Sequence, residues 1–309
     1  MTAIILLLPD ACYGGPVRSQ IDEAIRLLKS GDPESTEKAV ALLQDSVFSF
    51  SMRVCNQRED AEDTMQEVLL KSVPVLSRFE NAKALAVWLY KVAKNRCLMT
   101  RRKSKFAPRE EFSLDELMPD RFELAALAKS GGANPEAFAI RSQEASWLRE
   151  AVQKVPPDYR IILVLRDMEG LSDDEVAEIT GLRAGTVRVR LHRARLFVRK
   201  EISKRLRAGK VAPALHRTHQ DEPVRPANCK AMFAELSDYL DERLDDSMCA
   251  ELEKHMDGCE PCKAFLSSLE NTILALRQSG IESPDPGKTR KIREHVLASY
   301  KNAMPKITR

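Results

Sequence analysis

The sequence predicts an all-α protein. Three observations carry this reading. Apolar residues recur at three- and four-residue spacing through most of the chain, no run of period-two alternation is bounded by turn residues, and Gly and Pro cluster at a few breaks. The expected architecture is two helical domains joined by a linker, followed by a small helical module bearing Cys and His. At 309 residues the chain has room for two or three domains, since single cores stop growing at roughly 250–300 residues. The 49 Lys+Arg against 46 Asp+Glu leave a net charge of only +3, which hides a strong segregation of charge along the chain. No apolar run approaches the roughly 20 residues of a membrane span. The longest, Ala3 to Pro9, has no basic residue before it and is a poor signal peptide. A cytoplasmic protein with no membrane partner is expected.

Residues 1–36 read as an N-terminal extension, with a loop at Asp10–Pro16 and a turn and cap at Gly31–Ser35. Residues 37–105 read as helices broken near Asn56–Asp60 and Ser77–Lys83. Pro108, Pro119, Gly131, Gly132 and Pro135 mark 106–140 as a linker with room for short helices, and 141–207 is helical again. Gly209, Pro213, Pro223 and Pro226 mark a second linker at 208–228. The Cys/His module spans 229–280. A basic tail, 281–309, follows the break at Ser283–Gly287, with Ile292, Val296 and Leu297 on one side; it could meet DNA, the first helical block or nothing.

The most informative stretch is Leu171–Arg195. Ser172 with Glu175 three residues later forms a capping box, and Gly181 permits the left-handed conformation of a tight turn. A second helix follows, with Val187, Leu191, Ala194 and Val198 facing inward. Arg188, Arg190, His192, Arg193 and Arg195 are expected on its open side. This is helix-turn-helix spacing. From Arg183 to Arg207 there are ten Lys/Arg and one acid, Glu201. Ordinary solvated faces mix signs, whereas phosphates favour such an imbalance by counterion release and Arg reads guanine edges in the major groove.

In the earlier block, Ala61, Met65, Val68 and Leu69 form an apolar stripe behind an acidic and amide-rich face of Asp60, Glu62, Asp63, Gln66 and Glu67. Alone, that face is better read as a solvated one than as a partner surface. Next, Trp88, Leu89, Val92, Ala93, Cys97 and Leu98 can face a core. Lys91, Lys94, Arg96, Arg101, Arg102, Lys103 and Lys105 make a second basic surface, and rings among cations suit unpaired bases. Trp88 by itself reads better as core than as a base-stacking ring.

The third motif is His255-x3-Cys259-x2-Cys262, with Cys229 at the start of a preceding helix as a fourth ligand. One imidazole and three thiolates suit one tetrahedral zinc ion with no open position, hence a structural site. Seven cysteines in so long a chain do not make a disulfide framework. Cys249 is read as packing or spare. Residues 229–262 carry ten acids against three Lys/Arg, a net of −7. An acidic module tethered to basic surfaces can compete with DNA for them. Phe265, Leu266, Leu269, Ile273 and Leu276 make an amphipathic helix that either slots against the DNA-binding domains or completes the module's own core.

These residues resemble a known family. Asp60–Val68, Trp88–Arg96 and Arg101-Arg102 resemble region 2 of the extracytoplasmic-function (ECF) sigma factors of bacterial RNA polymerase, and Val155–Arg195 resembles their region 4. The resemblance covers about 37–105 and 141–207. It implies that Asp60, Glu62, Asp63, Gln66 and Glu67 dock on the clamp helices of core polymerase. Trp88, Asn95, Arg96, Arg101, Arg102 and Lys103 would engage and melt the −10 element. Arg183, Thr186, Arg188, Arg190, His192, Arg193 and Arg195 would enter the major groove of the −35 element. Leu70 stands where the family often has Phe, and Val189 where Ser is common. The module, through Cys229, Leu236, Tyr239, Leu240, Leu244, His255, Cys259 and Cys262, resembles the zinc-binding anti-sigma domain, usually a separate protein.

The implied partners are core polymerase, promoter DNA and, within the chain, the sigma domains for the module. The competing reading is a helix-turn-helix regulator that binds DNA without polymerase; the acidic 60–67 helix and the Trp88 block argue against it. An enzyme is not expected. The sequence has no P-loop, no paired carboxylates with a catalytic His, and no open metal position.

Overall fold

The computed structural model describes residues 16–30, 32–101, 112–119, 123–124, 142–208, 229–280 and 283–303. The apolar run at 3–9, the loop at 10–15, Arg102, Lys103 and most of both linkers lie outside the described residues. Every regular element among the described residues is helical, as expected: a 3-10 turn at Leu76–Arg78 and a series of α-helices. In order these are α1 (Pro16–Ser30), α2 (Pro33–Cys55), α3 (Arg58–Ser72), α4 (Ala82–Arg101), α5 (Leu114–Leu117), α6 (Ser142–Lys154), α7 (Pro157–Leu163), α8 (Asp173–Thr180), α9 (Ala184–Ala208), α10 (Cys229–Leu240), α11 (Asp246–Asp257), α12 (Glu260–Arg277) and α13 (Pro286–Ala303). A π-helical turn, Val164–Met168, follows α7. The chain divides into two compact units, one of 1–108, 161–187 and 277–309, the other of 109–160 and 188–276.

In the first unit α2 is the central helix. The Asp32 carboxylate caps its start by accepting from Ser35 N–H at 2.8 Å, and Asn56 ends it in the left-handed region. Val40, Leu43, Val47, Phe48 and Phe50 are buried along it, opposed by Ala61, Met65, Val68 and Leu69 of α3 and by Leu85, Leu89 and Ala93 of α4. Three features depart from or settle the sequence reading. Helix α1 lies in the supposed extension but packs on α2 and α4, burying Ile21, Ala24 and Ile25, whose spacing is that of a helix face. Helix α13 of the tail packs on α2 and α3, burying Val296 and Tyr300. The Arg293 Nε donates to Gln44 Oε1 at 3.3 Å, and Gln44 donates to Thr289 O at 3.4 Å. Cys55 and Cys97 form a disulfide between the end of α2 and α4, both residues buried. Two cysteines 42 residues apart carry no local signature of pairing, so only the core position of Cys97 was legible.

The π turn gives the unit its buried ionic centre. Its wide register, Glu169 N–H to Val164 O at 2.9 Å, leads directly into Glu169. There one carboxylate oxygen accepts from Arg53 Nη1 at 2.8 Å and the other from the Tyr90 hydroxyl at 2.7 Å. Burial pushes the Glu169 carboxyl up in pKa against the pull of Arg53, and pushes the Tyr90 phenol well up.

In the second unit one apolar cluster joins α10, α11 and α12 through Phe233, Leu236, Leu252, Met256, Phe265, Leu269 and Ile273. Leu196 of α9 belongs to the same cluster, and so do Leu117, Met118 and Leu124 from the segment read as a linker. That segment's Pro and Gly residues mask a short apolar run: Phe112 stacks on Phe197, with ring centroids 4.8 Å apart, and Phe112 also meets Tyr159 at 5.2 Å.

Candidate nucleic-acid interface and metal centre

The helix-turn-helix begins as the sequence dictates. Glu175 N–H donates to Ser172 Oγ at 3.3 Å and Ser172 N–H to Glu175 Oε2 at 2.7 Å, the reciprocal capping box. Gly181 ends α8 at φ +75°, where a side chain would be strained, and α9 starts three residues later. At the start of α9 the expected surface is open. Arg183, Thr186 and Arg188 are exposed, and Arg193 is half-buried. Arg190 is half-buried with its guanidinium 5.6 Å from the centroid of the Tyr159 ring. Val189, between Arg188 and Arg190, is 52% exposed.

The next two turns differ from the expectation of an open polar side. Arg195 is 0% exposed. Its Nη1 donates to Asp241 Oδ2 at 2.8 Å and its Nη2 to Asp241 Oδ1 at 3.1 Å, a two-pronged pair at the end of α10. Asp241 also lies 3.3 Å from Arg243 Nη2. His192 is buried, its Nδ1 2.7 Å from Ser237 Oγ. Arg199 donates to Glu123 Oε1 at 2.6 Å and stands 4.1 Å over the Phe265 ring. His192, Arg195, Leu196 and Arg199 therefore form a second buried stripe on α9, at i, i+3, i+4 and i+7. The spacing was visible in the sequence, but the stripe is mostly cationic, and only a complementary carboxylate opposite allows burial. Of the two places left open for the α12 helix, both hold: Phe265, Leu269 and Ile273 fill the module's core and meet Leu196 in the same cluster.

The metal-ligand motif comes together. Helix α11, capped by Asp245, ends at Asp257. Cys259 N–H then donates to Met256 O at 3.2 Å and Cys262 N–H to Cys259 O at 3.0 Å, folding both thiols back toward the helix end. The ligand atoms of His255, Cys259 and Cys262 lie within 4.8 Å of one another, and His255 Nε2 is 3.3 Å from Cys262 Sγ. Two thiols and one imidazole at such separations suit a soft tetrahedral ion such as zinc. Cys229 is the first residue of α10, and its side chain is outside the described residues. Cys249 stands apart from the cluster with its thiol 3.8 Å from Leu244 O, its pKa pushed up by burial and by Glu253, Asp246 and Asp245.

In the first unit the acidic face of α3 is accessible. Asp63 and Gln66 are exposed; Asp60, Glu62 and Glu67 are half-buried. Glu62 pairs with Arg58 at 3.0 Å, and Glu67 with Lys71 at 2.6 Å and Arg96 at 3.0 Å. Arg96 and Glu67, expected to serve different partners, thus bond each other. Asn95 is exposed, while Trp88 is half-buried with its ring 5.9 Å from that of Phe79. Lys94 is turned from the basic surface to the end of α8, donating to Ile179 O at 2.6 Å. The Arg101 side chain, with Arg102 and Lys103, lies outside the described residues.

Three family models match the chain: "Sigma-70 region 2" over residues 39–106, "Sigma-70, region 4" over 145–198, and "Putative zinc-finger" over 229–263. The ECF RNA polymerase sigma factor SigW of Bacillus subtilis is 26% identical over 184 residues, 59% of this chain and 96% of its own length. The RNA polymerase sigma-H factor of Pseudomonas aeruginosa is 26% identical over 193 residues, 62% of this chain and 97% of its own. The ECF RNA polymerase sigma-E factor of Escherichia coli is 28% identical over 180 residues, 55% of this chain and 88% of its own.

Proposed function

We infer that this chain, which belongs to the ECF class of RNA polymerase sigma factors and carries a zinc-finger module of anti-sigma type, is a promoter-specificity subunit held off DNA by that module. As a sigma factor it is an initiation subunit and not an enzyme. Region 2 is taken as 37–105, region 4 as 141–207 and the module as 229–280. In this reading it works in the cytoplasm with core polymerase and promoter DNA as partners. The α3 face of Asp60, Glu62, Asp63, Gln66 and Glu67 docks on the polymerase. Trp88, Asn95, Arg96, Arg101, Arg102 and Lys103 serve the −10 element, and Arg183 to Arg195 serve the −35 element.

The observation that carries the regulatory part is the Arg195–Asp241 pair, with both side chains fully buried. A guanidinium paired to a carboxylate and 0% exposed is out of reach of a phosphate or a guanine edge. His192 and Arg199 are engaged on the same stripe. The tether makes weak closure sufficient. A linker of some twenty residues holds the module at roughly millimolar effective concentration. Against that, non-specific DNA binds at only about 10⁻⁴–10⁻⁶ M. His255, Cys259 and Cys262, with Cys229 as the fourth ligand, are proposed to hold one structural zinc ion. Bound there, the ion would cross-link the α11–α12 turn to Cys229 at the start of α10. The protein's part is to bring the donors together and to keep Asp241 and Ser237 aimed at α9.

Run-off transcription with purified bacterial core polymerase on a genomic promoter library tests this. RNA starting at defined sites only when the chain is present establishes the sigma role in this protein, and higher output from the Asp241→Asn chain establishes inhibition by the module. Equal or lower output from a normally folded Asp241→Asn chain would overturn the inhibitory part.

A further inference from the structure

We propose that His192 is an acid sensor: protonating its ring expels the zinc-finger module from helix α9 and opens the recognition helix to DNA. The proposal rests on the occlusion just described and adds the stimulus that relieves it.

The geometry disfavours a second proton. The ring is 8% exposed, and its Nδ1 is satisfied by Ser237 Oγ at 2.7 Å. Its Nε2 is buried with no hydrogen-bond partner among the described residues. The neutral ring tolerates this, because Nε2 can stay a bare acceptor. The imidazolium cannot, since both nitrogens then carry protons and one N–H would point at no acceptor.

The charged surroundings act in the same direction. On its own helix Arg193 and Arg195 repel a positive ring. From α10 the ring meets the Ser237 hydroxyl and the Phe233 backbone, which favours the proton weakly. Of the nearby carboxylates, Asp241, just past α10, pairs with Arg195 and Arg243, and Asp238 of α10 pairs with Arg243; Glu235, also on α10, is half-buried. Burial, first, and the two arginines lower the His192 pKa from 6.5 to about 4.

The sign follows from linkage. A proton binds the closed form only near pH 4 but the open form near 6.5, so closure is at full strength above pH 6.5 and weakens as pH falls below it. Between pH 7.5 and 5.5 the open-to-closed ratio rises about tenfold.

The experiment uses the full zinc-loaded chain and a random-sequence 30-base-pair duplex at fixed ionic strength, read by fluorescence anisotropy. The wild-type affinity should rise about tenfold from pH 7.5 to 5.5. In His192→Gln the ratio between the two pH values should be near one, whatever its absolute affinity. Because this variant keeps His255, Cys259 and Cys262, an acid response retained in it would assign the effect to the metal site and overturn the proposal. Asp241→Ala, opened at both pH values, should bind tightly at pH 7.5 and gain little on acidification. No gain from Asp241→Ala means that the occlusion reading itself fails. A gain from Asp241→Ala with a wild type flat in pH means that occlusion stands and the His192 sensor does not. A nuclear magnetic resonance titration of the His192 ring in the full chain, with its midpoint near 4, supports the proposal; a midpoint near 6.5 overturns it.

Discussion

The two surfaces assigned to macromolecular partners are in opposite states. The acidic face of α3 keeps Asp63 and Gln66 in solvent, whereas two turns of α9 carry His192, Arg195 and Arg199 into a protein interior. Both faces are strongly charged, so charge does not decide which is covered. What differs is the neighbour. Glu62 pairs with Arg58, and Glu67 with Lys71 and Arg96, side chains that are themselves partly exposed, pairs worth about 0–1 kcal/mol. Arg195 meets a carboxylate beside an apolar residue, Leu196, that belongs to the same core as the module. On the proposed reading, the resting chain can still offer α3 to polymerase, and the restraint falls on DNA.

The largest expected effect comes from removing the carboxylate that covers α9. Depriving the buried Arg195 of its partner costs about 3–5 kcal/mol, so Asp241→Ala should raise affinity for duplex DNA by about a hundredfold or more. The slope of affinity against salt should also steepen by about 0.9 for each phosphate newly met. Anisotropy at several salt concentrations measures both. On the other side of the comparison, and with the Cys55–Cys97 bond kept oxidised in the reference chain, Cys55→Ser should weaken the region 2 helices by about 4 kcal/mol, the loop-entropy expectation for a 42-residue separation. It should leave DNA affinity unchanged. Guanidinium unfolding followed at Trp88 in a Trp147→Phe background reads that unit alone. A smaller effect is expected at the open face. Asp63→Lys should weaken binding to core polymerase about tenfold, roughly 1.4 kcal/mol, with DNA binding intact, as measured by competition with an unmodified sigma subunit. The smallest is Ser172→Ala, which removes half of the capping box and should destabilise α8 by about 1 kcal/mol, seen as a lower thermal midpoint.

The sequence carried what is written in local spacing. The Ser172–Glu175 box, the Gly181 turn, the Ala61/Met65/Val68/Leu69 stripe and the His255–Cys262 cluster all stand where their spacing puts them. What it withheld depends on partners far away in the chain. Nothing near Arg195 marks Asp241, 46 residues on, as its carboxylate, and nothing near Arg53 marks Glu169, 116 residues on. Cys55 and Cys97 are alike in this. The packing of the linker and extension is hidden for another reason: breaks at Pro and Gly outweigh short apolar runs, Ile21–Ile25 in one case and Phe112–Met118 in the other. The His192, Arg195, Leu196 and Arg199 stripe has the spacing of a buried face, but its charges made it look like a solvated one.

The most direct test of the central claim is hydrogen exchange of the full zinc-loaded chain with and without a duplex bearing a promoter it initiates from. If the module and DNA compete for α9, adding the duplex should deprotect the amides of Cys229–Leu240 and Asp246–Asp257 while protecting those from Arg188 to Arg195. Protection of both sets in the DNA-bound chain would mean that the module stays on α9 while DNA is read, and occlusion would be wrong.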